Sequence, residues 1–230
     1  MSDIQTFYPD AKESDVYAAD CVNQLQKEHK FDLNKTILAT SVCSDEVIET
    51  ATNFRKYLPL DEPFQMGGLA GYPFAGVTGL TAFAGHIPDE GSAIVIYGPH
   101  IGFSGTGQVG KIKRVGQKQE TTCCGALVAV VNHFQSGATS TPDKELDYQQ
   151  WTLTDNLKDI KGNVHTMNQP LVDATNTMYD TIHVRMDKIV EKMADKLSGK
   201  KVAFIGGIII NTDAGEPDWF EQRNFEVKSF

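Results

Sequence analysis

The chain has 230 residues, 40% of them hydrophobic, with a formal net charge of −9 and a mean hydropathy of −0.29. That is enough sequence to bury a substantial core, and no Pro/Ser-rich linker divides it, so one domain over 1–230 is expected, with 1–13 as a flexible N-terminal segment. The acidic balance excludes a broad nucleic-acid or anionic-membrane footprint, and no run approaches the roughly 20 apolar residues of a membrane span.

Four cysteines without framework spacing read as reduced thiols. The first ten residues are acidic and carry no apolar or Arg-rich leader character. As it stands the sequence reads as cytoplasmic, or as belonging to an organelle stroma or matrix if a targeting segment has been removed.

Residues 14–30 predict an amphipathic helix, capped by Ser14 or Asp15, with Val16, Ala18, Ala19, Val22 and Leu25 as its apolar stripe. Cys21 in that helix reads as packing. Residues 36–42 predict a buried strand, and Asp45 to Leu58 a helix with Asp45 and Glu46 at its positive end. The glycine-rich stretch 59–75 is too long for a mere connector. A short helix over 76–85 and a buried strand over 92–98 follow. Residues 99–115 predict a hairpin turning at SerGlyThrGlyGln, and 122–134 a buried helix. Helices fill 144–198, most clearly Pro170 to Leu197. A strand over 201–210 precedes a tail, 225–230, that reads as an edge strand. Strands alternating with helices predict an α/β fold with a mostly parallel central sheet flanked by helices.

Metal-ligand residue types stand at three edges of apolar runs. Cys43 closes the first strand, His100 follows the second, and Cys123 and Cys124 open a helix. Strand ends and helix starts are where sheet-based folds build chemistry. Two thiolates and one imidazole form a three-ligand set for catalytic zinc, with water in the fourth position. A helix start after Cys43 would favour its thiolate. Adjacent Cys123 and Cys124 point in different directions on a helix, so one of them serves. GlyThrGlyGlnValGly (105–110) matches a dinucleotide-loop pattern, but no strand runs into it and no apolar helix leaves it, so a turn explains its glycines. MetGlyGlyLeuAlaGly (66–71) has no phosphate-loop lysine and reads as a tight loop lining a pocket or interface. His86 is either a support to the site or structural.

Seven motifs taken together carry a resemblance. They are CysSerAspGlu (43–46), MetGlyGlyLeuAlaGlyTyrProPheAlaGlyValThrGly (66–79), HisIleProAsp (86–89), TyrGlyProHisIleGly (97–102), GlyLysIleLysArgValGlyGln (110–117), CysCysGlyAla (123–126) and GlyGlyIleIleIleAsnThr (206–212). From about residue 14 onward the chain resembles the limiting-CO2-inducible protein B/C family, whose active members are theta-class carbonic anhydrases. The resemblance implies a fold similar to beta-class carbonic anhydrases, a homodimer, and CO2 hydration linked to inorganic-carbon handling. It implies Zn2+ on Cys43, His100 and Cys124, with Asp45 matching the aspartate of the beta-class CysXaaAspXaaArg motif. Val47 stands where that motif has arginine. Arg55 is ten residues along from Asp45, about 15 Å if helical, whereas the hairpin returns Arg114 to the neighbourhood of His100. Arg114 is therefore expected to hold Asp45 off the metal. Met66, Gly67, Gly68, Leu69, Phe74 and His86 are expected to form the CO2 pocket. A zinc-binding homologue without turnover, acting as a scaffold or a bicarbonate- or CO2-binding protein, is the alternative; a thiol-nucleophile enzyme is a more distant one.

Overall fold

The computed structural model describes residues 3–48, 50–58 and 62–230. In chain order the elements are α1 (Asp3–Phe7), β1 (Lys12–Glu13), α2 (Ser14–Lys27), β2 (Thr36–Ser41), α3 (Thr50–Arg55), β3 (Phe64–Gln65), α4 (Gly76–His86), β4 (Ser92–Tyr97), β5 (His100–Gly102), β6 (Lys111–Ile112), β7 (Thr121–Thr122), α5 (Gly125–Gln135), α6 (Tyr148–Asn156), α7 (Pro170–Met193), β8 (Lys201–Asn211) and β9 (Trp219–Ser229). A central sheet takes the order β1-β9-β8-β4-β2-β3, with β5 also paired to β8. Strands β3, β2, β4, β5 and β8 run parallel; β9 pairs antiparallel with β8, and β1 antiparallel with β9.

The apolar runs become parallel strands because both faces of the sheet are covered. Every residue of β4 is buried. Ala93, Val95 and Tyr97 face a core shared with α4, α5, α6 and α7, while Ile94 and Ile96 face a second core with α2 and α3. The period-two alternation of a strand divides the two cores. Among the described residues no helix is long and apolar enough to cross a membrane.

A break after β4 positions the future site. A side chain at Gly98 would run into the carbonyl of Gly207, and φ there is +152°. The chain passes this point as glycine and proline, then resumes as β5, with His100 opposite Ile209 of β8. His100 thus stands just past the carboxyl end of β4.

Several expectations are corrected. The helix expected from Asp45 begins only at Thr50; residues 45–48 form a turn closed by the Ile48 N–H on the Asp45 carbonyl at 3.3 Å. The stripe of α2 is Tyr17, Ala18, Cys21, Val22 and Leu25, and Val16 is exposed, because the helix is rotated to bury the larger Tyr17. Thr121 and Thr122 pair with β6 instead of opening α5. The turn at 104–108 is present, closed by a Phe103–Val109 bridge, yet β5 itself runs parallel to β8. The tail is an eleven-residue strand between β8 and β1, not a short edge strand. Its polar sequence hides it, and the long ladder with β8 supplies what its side chains do not.

Candidate metal centre

Four loop or strand ends converge at the carboxyl end of the parallel strands. Cys43 lies two residues beyond β2, His100 opens β5, Cys124 is the N-cap residue of α5, and Asn211 ends β8. Cys43, His100 and Cys124 are all buried, and each offers a ligand atom within 4.8 Å of the others. The Sγ atoms of Cys43 and Cys124 are 3.9 Å apart. Two thiolates at the usual zinc–sulfur distance and a tetrahedral angle stand about 3.8 Å apart. The His100 ring is fully buried, its Nδ1 lies 2.8 Å from Asn211 Oδ1, and its Nε2 has no hydrogen-bond partner among the described residues. A buried nitrogen is rarely left unsatisfied. A lone pair held beside two thiols at this spacing fits a soft divalent cation, and the donor set suits zinc.

Cys123 and Cys124, joined by a cis peptide, do different things. Cys124 meets Cys43. Cys123 Sγ lies 3.5 Å from His100 Nδ1 and 3.6 Å from Asn211 Oδ1. A second triplet, Asp45, His100 and Cys123, also falls within 4.8 Å, so the carboxylate flanks the cluster on the Cys123 side.

Asp45 is held by Arg114. Arg114 Nη2 donates to Asp45 Oδ2 at 2.9 Å, with both side chains about 15% exposed. The same guanidinium donates through Nε to Glu46 and through Nη1 to Thr121 Oγ1 and the Thr122 carbonyl. Arg55 turns elsewhere, to Glu62 at 2.8 Å. The Asp45 Oδ1 accepts the Val47 N–H at 3.3 Å. With valine at 47, the arginine arrives from the far side of the hairpin.

Charge within the pocket follows from burial. The Cys43 thiol is pushed well up, first by its hydrogen bond with Cys124 and then by burial. The helix start expected just after Cys43 is replaced by the 45–48 turn, so among the described residues no helix N-terminus adjoins the thiol. For His100 burial is the largest influence and opposes the imidazolium, whereas the Cys123 and Cys43 sulfurs beside the ring raise its pKa. For Arg114 burial opposes the charge, and Asp45, Cys123 and Glu46 more than offset it.

The glycine-rich loop packs over Cys43. A side chain at Gly67 would strike the Val42 carbonyl, so the backbones touch there. Three residues on, the Ala70 N–H donates to Cys43 Sγ at 3.3 Å. Met66 is fully buried, the Leu69 N–H donates to Gln149 Oε1 at 2.8 Å, and Phe74 packs on Gly68. His86 does not join them. It ends α4, exposed, with its ring on Phe64. Asn211, Ala70, Thr121 and Thr122 were not expected. Only Asn211 gave a signal: a polar residue terminating a buried apolar strand.

The family described as limiting CO2-inducible proteins B/C beta carbonic anhydrases matches residues 14–229. Among solved structures, PtLCIB4, a homolog of the limiting CO2-inducible protein LCIB, is 33% identical with a TM-score of 0.90, covering 99% of this chain and 95% of that one. A mutant of PtLCIB4 matches at 32% identity and TM-score 0.90, covering 99% and 93%. LCIB itself shares the fold at 21% identity and TM-score 0.71, covering 96% and 92%. A search of curated proteins returns no match.

Proposed function

Since the chain belongs to the family of limiting CO2-inducible proteins B/C beta carbonic anhydrases, we propose that it catalyses the reversible hydration of CO2 to bicarbonate with zinc held by Cys43, His100 and Cys124. The observation that carries this reading is the buried, unpartnered His100 Nε2 beside two thiols 3.9 Å apart. Zinc bound there would supply Lewis acidity that makes water nucleophilic near neutral pH. The remaining work falls to the chain. Asp45, ion-paired with Arg114, accepts a hydrogen bond from the attacking water and turns its lone pair toward the carbon of CO2. Arg114 also keeps Asp45 from swinging among the thiols. Met66, Gly67, Gly68, Leu69 and Phe74 wall the approach and exclude bulk water. The same reading includes pairing with a second copy, which sedimentation would detect.

The test is stopped-flow CO2 hydration on purified protein, with zinc per chain measured on the same sample. Activity with about one zinc per chain supports the reading; absence of zinc in protein prepared without chelator sinks it. The second reading, a zinc-stabilised protein without turnover, draws on the near-complete burial of His100 and Cys124. Zinc without hydration would favour it.

A further inference from the structure

We propose that Asn211 is a positioning residue that fixes which nitrogen of His100 carries a proton, and that Asp218 holds the Asn211 amide in the orientation this requires. Its consequence for zinc rests on the function proposed above; its geometry does not. Asn211 is 1% exposed. Its Nδ2 donates to the Val47 carbonyl at 2.9 Å and to Asp218 Oδ2 at 2.7 Å. Neither group can donate in return. An amide turned end for end would set its oxygen against both, so the orientation is determined by its partners. The Asp218 carboxylate is itself anchored, accepting the Thr212 N–H at 2.9 Å.

Oδ1 of Asn211 is thereby left facing His100 Nδ1 at 2.8 Å. An amide oxygen only accepts, so Nδ1 carries the proton. Cys123 Sγ, at 3.5 Å, is a more distant partner on the same side. Nε2 then becomes the nitrogen available to a metal, and it is the one without a hydrogen-bond partner. Partners behind a metal-binding imidazole fix its tautomer and ring orientation in this way.

The same amide reaches the other half of the site. Val47 accepts from Asn211 through its carbonyl, and its N–H donates to Asp45 Oδ1. One side chain at the end of β8 therefore registers both the imidazole and the turn that carries Asp45.

Two measurements test this. The first is long-range 1H–15N NMR of reduced, metal-free protein, with His100 assigned by its loss in His100→Gln. A protected Nδ1 proton is expected, exposed to exchange in Asn211→Leu. The second is zinc affinity by chelator competition. Asn211→Leu and Asn211→Asp should each weaken zinc by about 10–100-fold. Asn211→Asp combined with Asp218→Asn restores an acceptor for His100 and a donor to hold it, and should recover affinity to within about threefold. Packing alone predicts no such recovery. A His100 with a bare Nδ1, or a folded Asn211→Leu with unchanged zinc affinity, overturns the proposal. If Asn211→Leu does not fold, the Nδ1 proton of the unmutated protein decides. A wild-type protein that takes no zinc would remove the metal reading, and the Nδ1 measurement would still decide this one.

Discussion

Arg114 and the paired cysteines carry the residue-scale consequences. The guanidinium serves four acceptors at once, and the compact ammonium of lysine cannot span them. Arg114→Lys should therefore lose at least about tenfold in CO2 hydration, and Arg114→Ala should also cost about 2 kcal/mol of stability by leaving the Asp45 carboxylate unpaired. Stopped-flow rates, zinc content and urea midpoints check both; full activity in Arg114→Lys would exclude the positioning role. Cys123 and Cys124, indistinguishable by type, separate by contact. Cys124 faces Cys43, whereas Cys123 faces His100 Nδ1. Cys124→Ser should lose at least 100-fold in zinc affinity, on the order of 3 kcal/mol, while Cys123→Ser keeps zinc to within a few-fold. Chelator competition on the two variants would reveal a reversed order.

At the scale of elements, the site depends on how β4 ends. Gly98 lies where the backbone of β8 leaves no room for a Cβ, and its φ is one that other residues rarely adopt. Gly98→Ala should cost about 3 kcal/mol or more and should reduce zinc content, because His100 follows two residues later. A urea titration with zinc analysis tests it, and a variant with unchanged midpoint and metal would show that the break is not needed. β8 organises the rest. It pairs parallel with β4 and β5, antiparallel with β9, and delivers Asn211 to the cluster.

For the whole molecule, the buried thiols and phenols determine behaviour in alkali. Burial is the largest influence raising Cys21 from 9.0 to about 12 and Tyr179 from 10.0 to about 12, and it raises Tyr8, Tyr17 and Tyr97 as well. The folded chain keeps these protons to higher pH than the unfolded chain does. Their contribution is therefore complete below the unfolded values near 9 and 10, and is lost as pH rises through the folded ones. Urea midpoints should be level from about pH 7 to 8.5 and fall steadily above about pH 9; a level profile to pH 11 would contradict this. Metal acts in the other direction. A chelator should lower the melting temperature of the zinc-loaded protein, since a ligand bound only by the folded state stabilises it, and Cys43→Ser should show no such response.

How much was legible follows from the range of the forces involved. Runs such as 36–42 and 92–98 declare buried strands by composition alone, and the α/β class follows from their alternation with amphipathic segments. Cys43, His100 and the cysteine pair were conspicuous because polar or reactive residues ending apolar runs are uncommon. The hairpin pointed to Arg114 because the chain returns over only a few residues. What sequence could not decide was contact between distant segments. His86 looked like part of the site, but its ring rests on Phe64 at the end of α4. The length of β9 follows from its ladder with β8, and the different surroundings of Cys123 and Cys124 from the partners that each thiol meets. Asn211 lies 111 residues from His100, and only the β8 ladder brings its amide to the imidazole.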